Sequence, residues 1–221
     1  MIPSLGSLGR VTVKHGADEI WPHLPPRAQE SLDALLAGNA RFRAGHPRHP
    51  HESRARRRKV ATGQHPIALF FGCIDSRVPD EMVLDQGLGD LLTIRTAGHV
   101  LDTAALGSLE FGVHQLEIPL IMVLGHEGCG AVAAAIATLE HGAEAPSAIG
   151  GLVESIRPAV EATRGITDRV SRLDAAVRRH TRQTVADILE RSRLLAAAVT
   201  AGQVGVVGAR YGLQTGRITP A

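Results

Sequence analysis

The sequence predicts an α/β fold: a mainly parallel β-sheet flanked by helices, entered through an N-terminal helical arm. Three observations predict it. Two runs of strand length, residues 67–71 and 119–124, are apolar without alternation, as in strands covered on both faces. Each is followed by a glycine and a chemically useful side chain, Gly72-Cys73 and Gly125-His126. Stretches of helical period separate the strand-like runs, the order expected of a sheet with crossover helices.

Residues 1–26 mix Pro, Gly and His without a period and read as an extended arm. The sole tryptophan, Trp21, lies in it; docking onto a partner subunit or local packing would each explain that residue. From Arg27 a helix is expected, because Pro25 and Pro26 precede it and Ala28, Leu32, Leu35, Leu36 and Phe42 recur at helical spacing. Gly38 interrupts this pattern without ending it. Residues 45–50 form a His- and Pro-rich loop. Arg54, Arg56, Arg57, Arg58 and Lys59 form a basic run, read as a solvated helix face or a partner for nearby acids. After the strand at 67–71 come a short helix at 79–84, a second strand at 91–95, and a helix at 102–116 that Asp102 or Thr103 caps. The strand at 119–124 leads directly into a helix at 130–140. Residues 143–151 read as a linker, followed by helices at 151–163 and 168–200. The second carries the apolar stripe Val170, Leu173, Val177, Val185, Ile188, Leu189 and Leu195. A last strand at 204–207 and a turn at Gly216 complete one domain, residues 27–221.

Composition narrows the function classes. A chain of 221 residues with 44% hydrophobic content is ordinary for a globular protein. A net charge of +2 gives no global reason for a nucleic-acid or membrane partner. The first ten residues lack a basic start with a long apolar stretch, and no apolar run is long enough to span a bilayer. Two cysteines far apart show no secreted disulfide pattern. A cytoplasmic protein with reduced thiols free to bind metal is expected.

The chemistry concentrates in two stretches, Cys73-Ile74-Asp75-Ser76-Arg77 and His126-Glu127-Gly128-Cys129. Thiolate and imidazole are common zinc ligands, and three protein ligands leave a fourth position open. His126 and Cys129 sit close enough to share one ion, whereas Cys73 must come from another loop. If the strands before Cys73 and His126 are neighbours, these ligands meet at the carboxyl ends of the sheet where strand order reverses. Free cysteine is also a common small buried hydrophobe, so the donors alone leave a metal-free reading open. Asp75 and Arg77 add to the metal reading. The carboxylate can orient a zinc-bound water or bind the metal itself, and Arg77 can hold it in a bidentate fork. Two thiolates cancel the metal's charge, so the water is less acidified than at an all-histidine site and activity is expected at neutral to alkaline pH.

The segments FGCIDSRVP (71–79) and LGHEGCGA (124–131) together strongly resemble the β-class carbonic anhydrases, in their plant-type branch. The resemblance runs from the helix near Arg27 through Ala137 and resumes at VVGARYGLQTG (206–216). It implies reversible hydration of carbon dioxide to bicarbonate and a proton by zinc-bound hydroxide. It also implies one zinc per chain on Cys73, His126 and Cys129, a catalytic dyad of Asp75 and Arg77, and an inactive state with Asp75 on the metal. Gln64 resembles the substrate-binding glutamine, possible also from a partner subunit, and Gly130 the glycine whose N–H faces the substrate. Leu92 and Phe111 stand where the pattern has Phe and Tyr; Ala97 and Gly98 complete the implied apolar wall. His99, beside them, is read as structural, with proton relay as the alternative. The family implies a homodimer or homotetramer acting on a small molecule, with no nucleic acid and no membrane. Three rival readings stand below this one: a related activity such as carbon disulfide hydrolysis, a non-catalytic zinc protein, and a nucleic-acid module using Arg54 to Lys59.

Overall fold

The computed structural model describes residues 21–142 and 145–221. Most of the expected arm, residues 1–20, therefore lies outside the described residues. Trp21 packs against the core that Leu24, Ala28 and Leu32 build, which is the local reading of that residue.

The elements follow the predicted alternation. Helix α1 (Pro26–Arg43) starts with its proline at the first turn, where no N–H partner is lost, and α2 (Arg54–Val60) is capped by Ser53, which accepts from the Arg56 N–H. Strand β1 (Ala68–Cys73), the short α3 (Asp80–Val83) and strand β2 (Leu91–Thr96) follow. A 3-10 turn over Ala97–His99 leads to α4 (Thr103–Leu116), whose cap is Asp102, accepting from the Ala105 N–H at 2.7 Å. Next come β3 (Leu120–His126), α5 (Gly130–His141), α6 (Ile149–Glu161), α7 (Arg169–Arg191) and α8 (Arg193–Thr200). Strands β4 (Gly205–Tyr211) and β5 (Ile218–Pro220) close the chain.

The sheet runs in the order β2-β1-β3-β4-β5. The first four strands are parallel and β5 is antiparallel to β4. The chain moves outward from β1 to β2, then crosses to the other side of β1 for β3, so strand order reverses between β1 and β3. Both strands are fully buried along their length. Their alternate side chains explain the unbroken apolar runs. Phe70, Met122 and Leu124 face α1, while Leu69, Phe71, Ile121 and Val123 face α4 and the α7–α8 region. A strand buried on both sides has no polar face to alternate with.

Three details depart from the sequence expectation. The helix expected over 168–200 is two helices, because Ser192 is extended (φ −114°, ψ 104°) and its hydroxyl accepts from the Leu195 N–H. That hydroxyl also donates to Glu110 on α4 at 2.6 Å, so a tertiary contact holds the break. Val170, counted in the apolar stripe, is 75% exposed. The last strand reaches Tyr211, and the antiparallel β5 was not anticipated. Gly38 does stay inside α1, and packing gives the reason: a Cβ there would overlap the Leu84 carbonyl oxygen. The basic run forms α2 with no buried residue, and Arg56 pairs in-chain with Asp90 at 3.0 Å. Among the described residues no helix is long and apolar enough to cross a membrane.

Candidate metal centre

Cys73 ends β1, His126 ends β3, and Cys129 caps α5. Because β1 and β3 are paired neighbours, all three converge in the crevice at the switch point. Gly128 (φ 62°) supplies the left-handed turn that lets His126 and Cys129 face one point. The two sulfurs are 4.0 Å apart, and the three donor atoms lie within 4.8 Å of one another, all buried. A tetrahedral zinc with Zn–S bonds of about 2.3 Å would space its sulfurs about 3.8 Å apart.

The donors fit such an ion chemically as well. His126 donates Nδ1–H to the Glu127 carbonyl at 2.9 Å, which leaves the Nε2 lone pair facing the sulfurs, buried and without a hydrogen-bond partner. Buried polar atoms seldom lack a partner, and a cation would satisfy this one. The two cysteine sulfurs are within hydrogen-bond reach, and either thiol could donate its proton to the other. The Cys129 hydrogen bond is the main influence drawing the Cys73 thiol downward, while the bond to Cys73 and burial push Cys129 upward. A divalent ion between the sulfurs would take that proton's place.

Asp75 and Arg77 stand at the rim. Arg77 Nε donates to Asp75 Oδ1 at 2.9 Å and Nη2 to Oδ2 at 2.6 Å. This fork is the main reason the Asp75 carboxyl sits well below the usual carboxylate range. Oδ2 lies 3.9 Å from His126 Nε2, so the carboxylate borders the donor cluster. Arg77 Nη2 also reaches the Gly128 carbonyl at 3.3 Å and ties the two loops together.

The remaining expected site residues divide into two groups. Gly98 and Gly130 are local: the Gly98 N–H donates to Cys73 Sγ at 3.3 Å, and a Cβ on Gly130 would meet nothing within 4 Å. Ala97 precedes Gly98 and is half-buried. Gln64, Leu92 and Phe111 are not brought to the centre of this chain. Gln64 is exposed ahead of the amino end of β1, whereas Cys73 is at the carboxyl end, about 16 Å along a strand of this length. Leu92 pairs with Leu69 low on the sheet, four residues before the Thr96 that pairs with Cys73. Phe111 is 59% exposed on α4. His99 is fully buried, its Nε2 lies 3.4 Å from Thr181 Oγ1, and burial holds its pKa well below the ordinary value. Those features match its structural reading.

Sequence reasoning missed Arg95. It donates Nε–H to the Cys73 carbonyl at 2.8 Å and Nη2–H to the Asp75 carbonyl at 2.6 Å, fixing the backbone on both sides of Ile74. An arginine near the end of the second strand was visible, but its acceptors were not.

A doubly wound sheet with a Cys₂His cluster and an Asp–Arg pair at its switch point defines a class of α/β enzymes whose donor cluster could hold a metal ion. The comparisons with known proteins agree. The carbonic anhydrase family model matches residues 68–218. The chain is 46% identical over 184 residues to "Carbonic anhydrase 2" of Mycobacterium tuberculosis, covering 83% of this chain and 88% of that protein. It is 45% identical over 186 residues to the "Carbonic anhydrase" of Mycolicibacterium smegmatis, covering 84% and 89%. A tetrameric β-carbonic anhydrase of Sordaria macrospora shares the fold with a TM-score of 0.68 at 23% identity, covering 86% of this chain and 96% of that one. This chain belongs to the β-class carbonic anhydrase family.

Proposed function

We propose that the protein catalyses the zinc-dependent, reversible hydration of carbon dioxide to bicarbonate and a proton, with one zinc on Cys73, His126 and Cys129. The observation that carries the reading is the position of Asp75, forked by Arg77 with Oδ2 3.9 Å from His126 Nε2, at the edge of the three donors. When bound, zinc supplies the Lewis acidity that makes water a nucleophile near neutral pH.

The chain's own residues do the rest. Asp75 stays ionised and accepts a hydrogen bond from the attacking water, which sets its direction. Arg77 holds the carboxylate at the rim and off the metal position. Gly130 is the first residue of α5, where an N–H has no partner within the helix, and it would donate to an oxygen of bicarbonate. Ala97 and Gly98 add apolar wall for a neutral linear substrate. Gln64, Leu92 and Phe111 serve the site only where a second copy brings them to it, so the active form is a homodimer or a homotetramer. Residues 27–221 work as a single enzyme domain in the cytoplasm, without nucleic acid or membrane.

The test is metal analysis together with stopped-flow carbon dioxide hydration across neutral and alkaline pH. One zinc per chain with rapid hydration supports the reading. Stoichiometric zinc with no hydration even at alkaline pH would make the centre a structural one.

A further inference from the structure

Two buried histidines beside the centre have no part in the chemistry above. The His99 and His180 rings stack with centroids 4.6 Å apart at 35°, and both Nδ1 atoms are buried without a partner. His180 uses its other nitrogen. Nε2–H donates to the Gly98 carbonyl at 2.9 Å, across 82 residues of sequence. The same Gly98 sends its N–H to Cys73 Sγ.

We propose that His180 is a positioning residue of the metal centre: by holding the Gly98 carbonyl it keeps the Gly98 N–H aimed at the Cys73 sulfur. The proposal rests on the metal reading given under Proposed function.

The backbone at this point needs an anchor. Gly98 (φ 63°) and His99 (φ 45°) are consecutive residues in the left-handed region, which a chain does not hold without outside contacts. Gly98 is also confined from the side, since a Cβ there would lie 3.0 Å from Ala131 Cβ and 3.1 Å from Ile156 Cδ1. The hydrogen bond from His180 adds a polar anchor at the Gly98 carbonyl. Helix α7 is a firm base for it. Thr181, the next residue, occupies the space a Cβ on Gly125 would need, directly before His126. One turn of α7 thus packs against both the turn that donates to Cys73 and the strand end that carries His126.

The consequence is chemical as well as geometric. An N–H donated to a thiolate favours its ionised form and draws charge from the sulfur. On a metal-bound thiolate the same bond fixes the direction in which sulfur donates. Groups that orient a ligand in this way are worth about 10–100-fold in metal affinity.

The test compares zinc-loaded wild type with His180→Leu, which removes the donor and keeps an apolar side chain, and with His180→Gln, which keeps an N–H. Zinc release to a chromophoric chelator and the thiolate-to-metal absorption band of the cobalt-substituted protein are measured well below the unfolding temperature. The Leu variant is expected to release zinc about 10–100-fold faster and to shift the band, and the Gln variant to recover most of both. A purely structural histidine would lower thermal stability in both variants and leave release and band unchanged, which overturns the proposal. A second measurement needs no variant to fold. In wild type loaded with NMR-active cadmium, the Gly98 amide proton should show scalar coupling to the metal through the N–H···S bond. Its absence overturns the proposal while leaving the metal reading intact. Failure to take up zinc, cobalt or cadmium overturns the metal reading and this proposal with it.

Discussion

The Arg77 guanidinium grips the Asp75 carboxylate by both oxygens, at 2.9 and 2.6 Å, and the same Nη2 reaches the Gly128 carbonyl. One side chain therefore sets where Asp75 points and how far the loop carrying Cys73 stands from the loop carrying Cys129. The carboxylate's folded pKa lies below its unfolded value, so the proton is already lost in mildly acidic solution. Stability from this pairing is present above the unfolded value and lost as pH falls through the folded one.

Replacing Asp75 with Asn should remove the charge and turn one of the two acceptor oxygens into a donor while keeping the shape. Hydration measured by stopped flow should fall about 10²–10⁴-fold, the range for a positioned acid–base group, with zinc content unchanged. Wild-type turnover in this variant would take Asp75 out of the mechanism.

Arg77→Lys keeps the charge and loses the fork. The carboxylate would then be free to turn toward the metal position. A hydration rate about 10–100-fold lower, with zinc still bound, is the expected outcome. If the rate is unaffected, a point charge suffices and the bidentate geometry has no catalytic role.

Asp80 gives a stability prediction that does not depend on the donors. It is 2% exposed, and neither carboxylate oxygen has a hydrogen-bond partner. Burial pushes it up to about 7, with Glu81 adding to the rise and Arg95 opposing it. The folded protein therefore keeps a proton that the unfolded chain releases from about pH 4 upward. This carboxyl's burial is best tolerated below the unfolded value, and stability falls as pH climbs toward the folded one. The gap corresponds to at most about 4 kcal/mol. Asp80→Asn should flatten that fall, matching wild type near about pH 4 and exceeding it near about pH 8 in urea unfolding. Parallel curves for the two proteins would show that Asp80 is not a protonated buried acid.

Gly38→Ala tests the seat of α1. The new methyl would overlap the Leu84 carbonyl just after α3, so the two helices must separate. A loss of about 1–3 kcal/mol is expected in chemical denaturation, with hydration per folded molecule nearly unchanged. A stabilised variant would mean that the contact between α1 and α3 yields more easily than its backbone partner suggests.

Local sequence held much of this. The unbroken apolar runs ending at Phe71 and Leu124 marked strands buried on both faces, because their composition reflects burial. Asp102 was readable as a cap because its acceptor reaches only three residues ahead. The break at Ser192 was hidden, since Glu110, 82 residues away, takes part in fixing it. Arg95 and His180 were hidden in the same manner. Their acceptors are backbone carbonyls, and a backbone carbonyl carries no residue signature. Gln64, Leu92 and Phe111 show the opposite case, in which a motif names residues that one chain by itself does not gather.

By itself the sequence determined the donor types, the parallel sheet and the turn that lets His126 and Cys129 share one point, because each depends on residue identity or on neighbours a few positions apart. Only the tertiary structure decided that β1 lies beside β3, which carries Cys73 to within 4.0 Å of Cys129, and that α7 supports the Gly98 turn from below. Those outcomes depend on which surfaces pack together once the chain has collapsed, and sequence spacing holds no record of contacts between segments 50 or more residues apart.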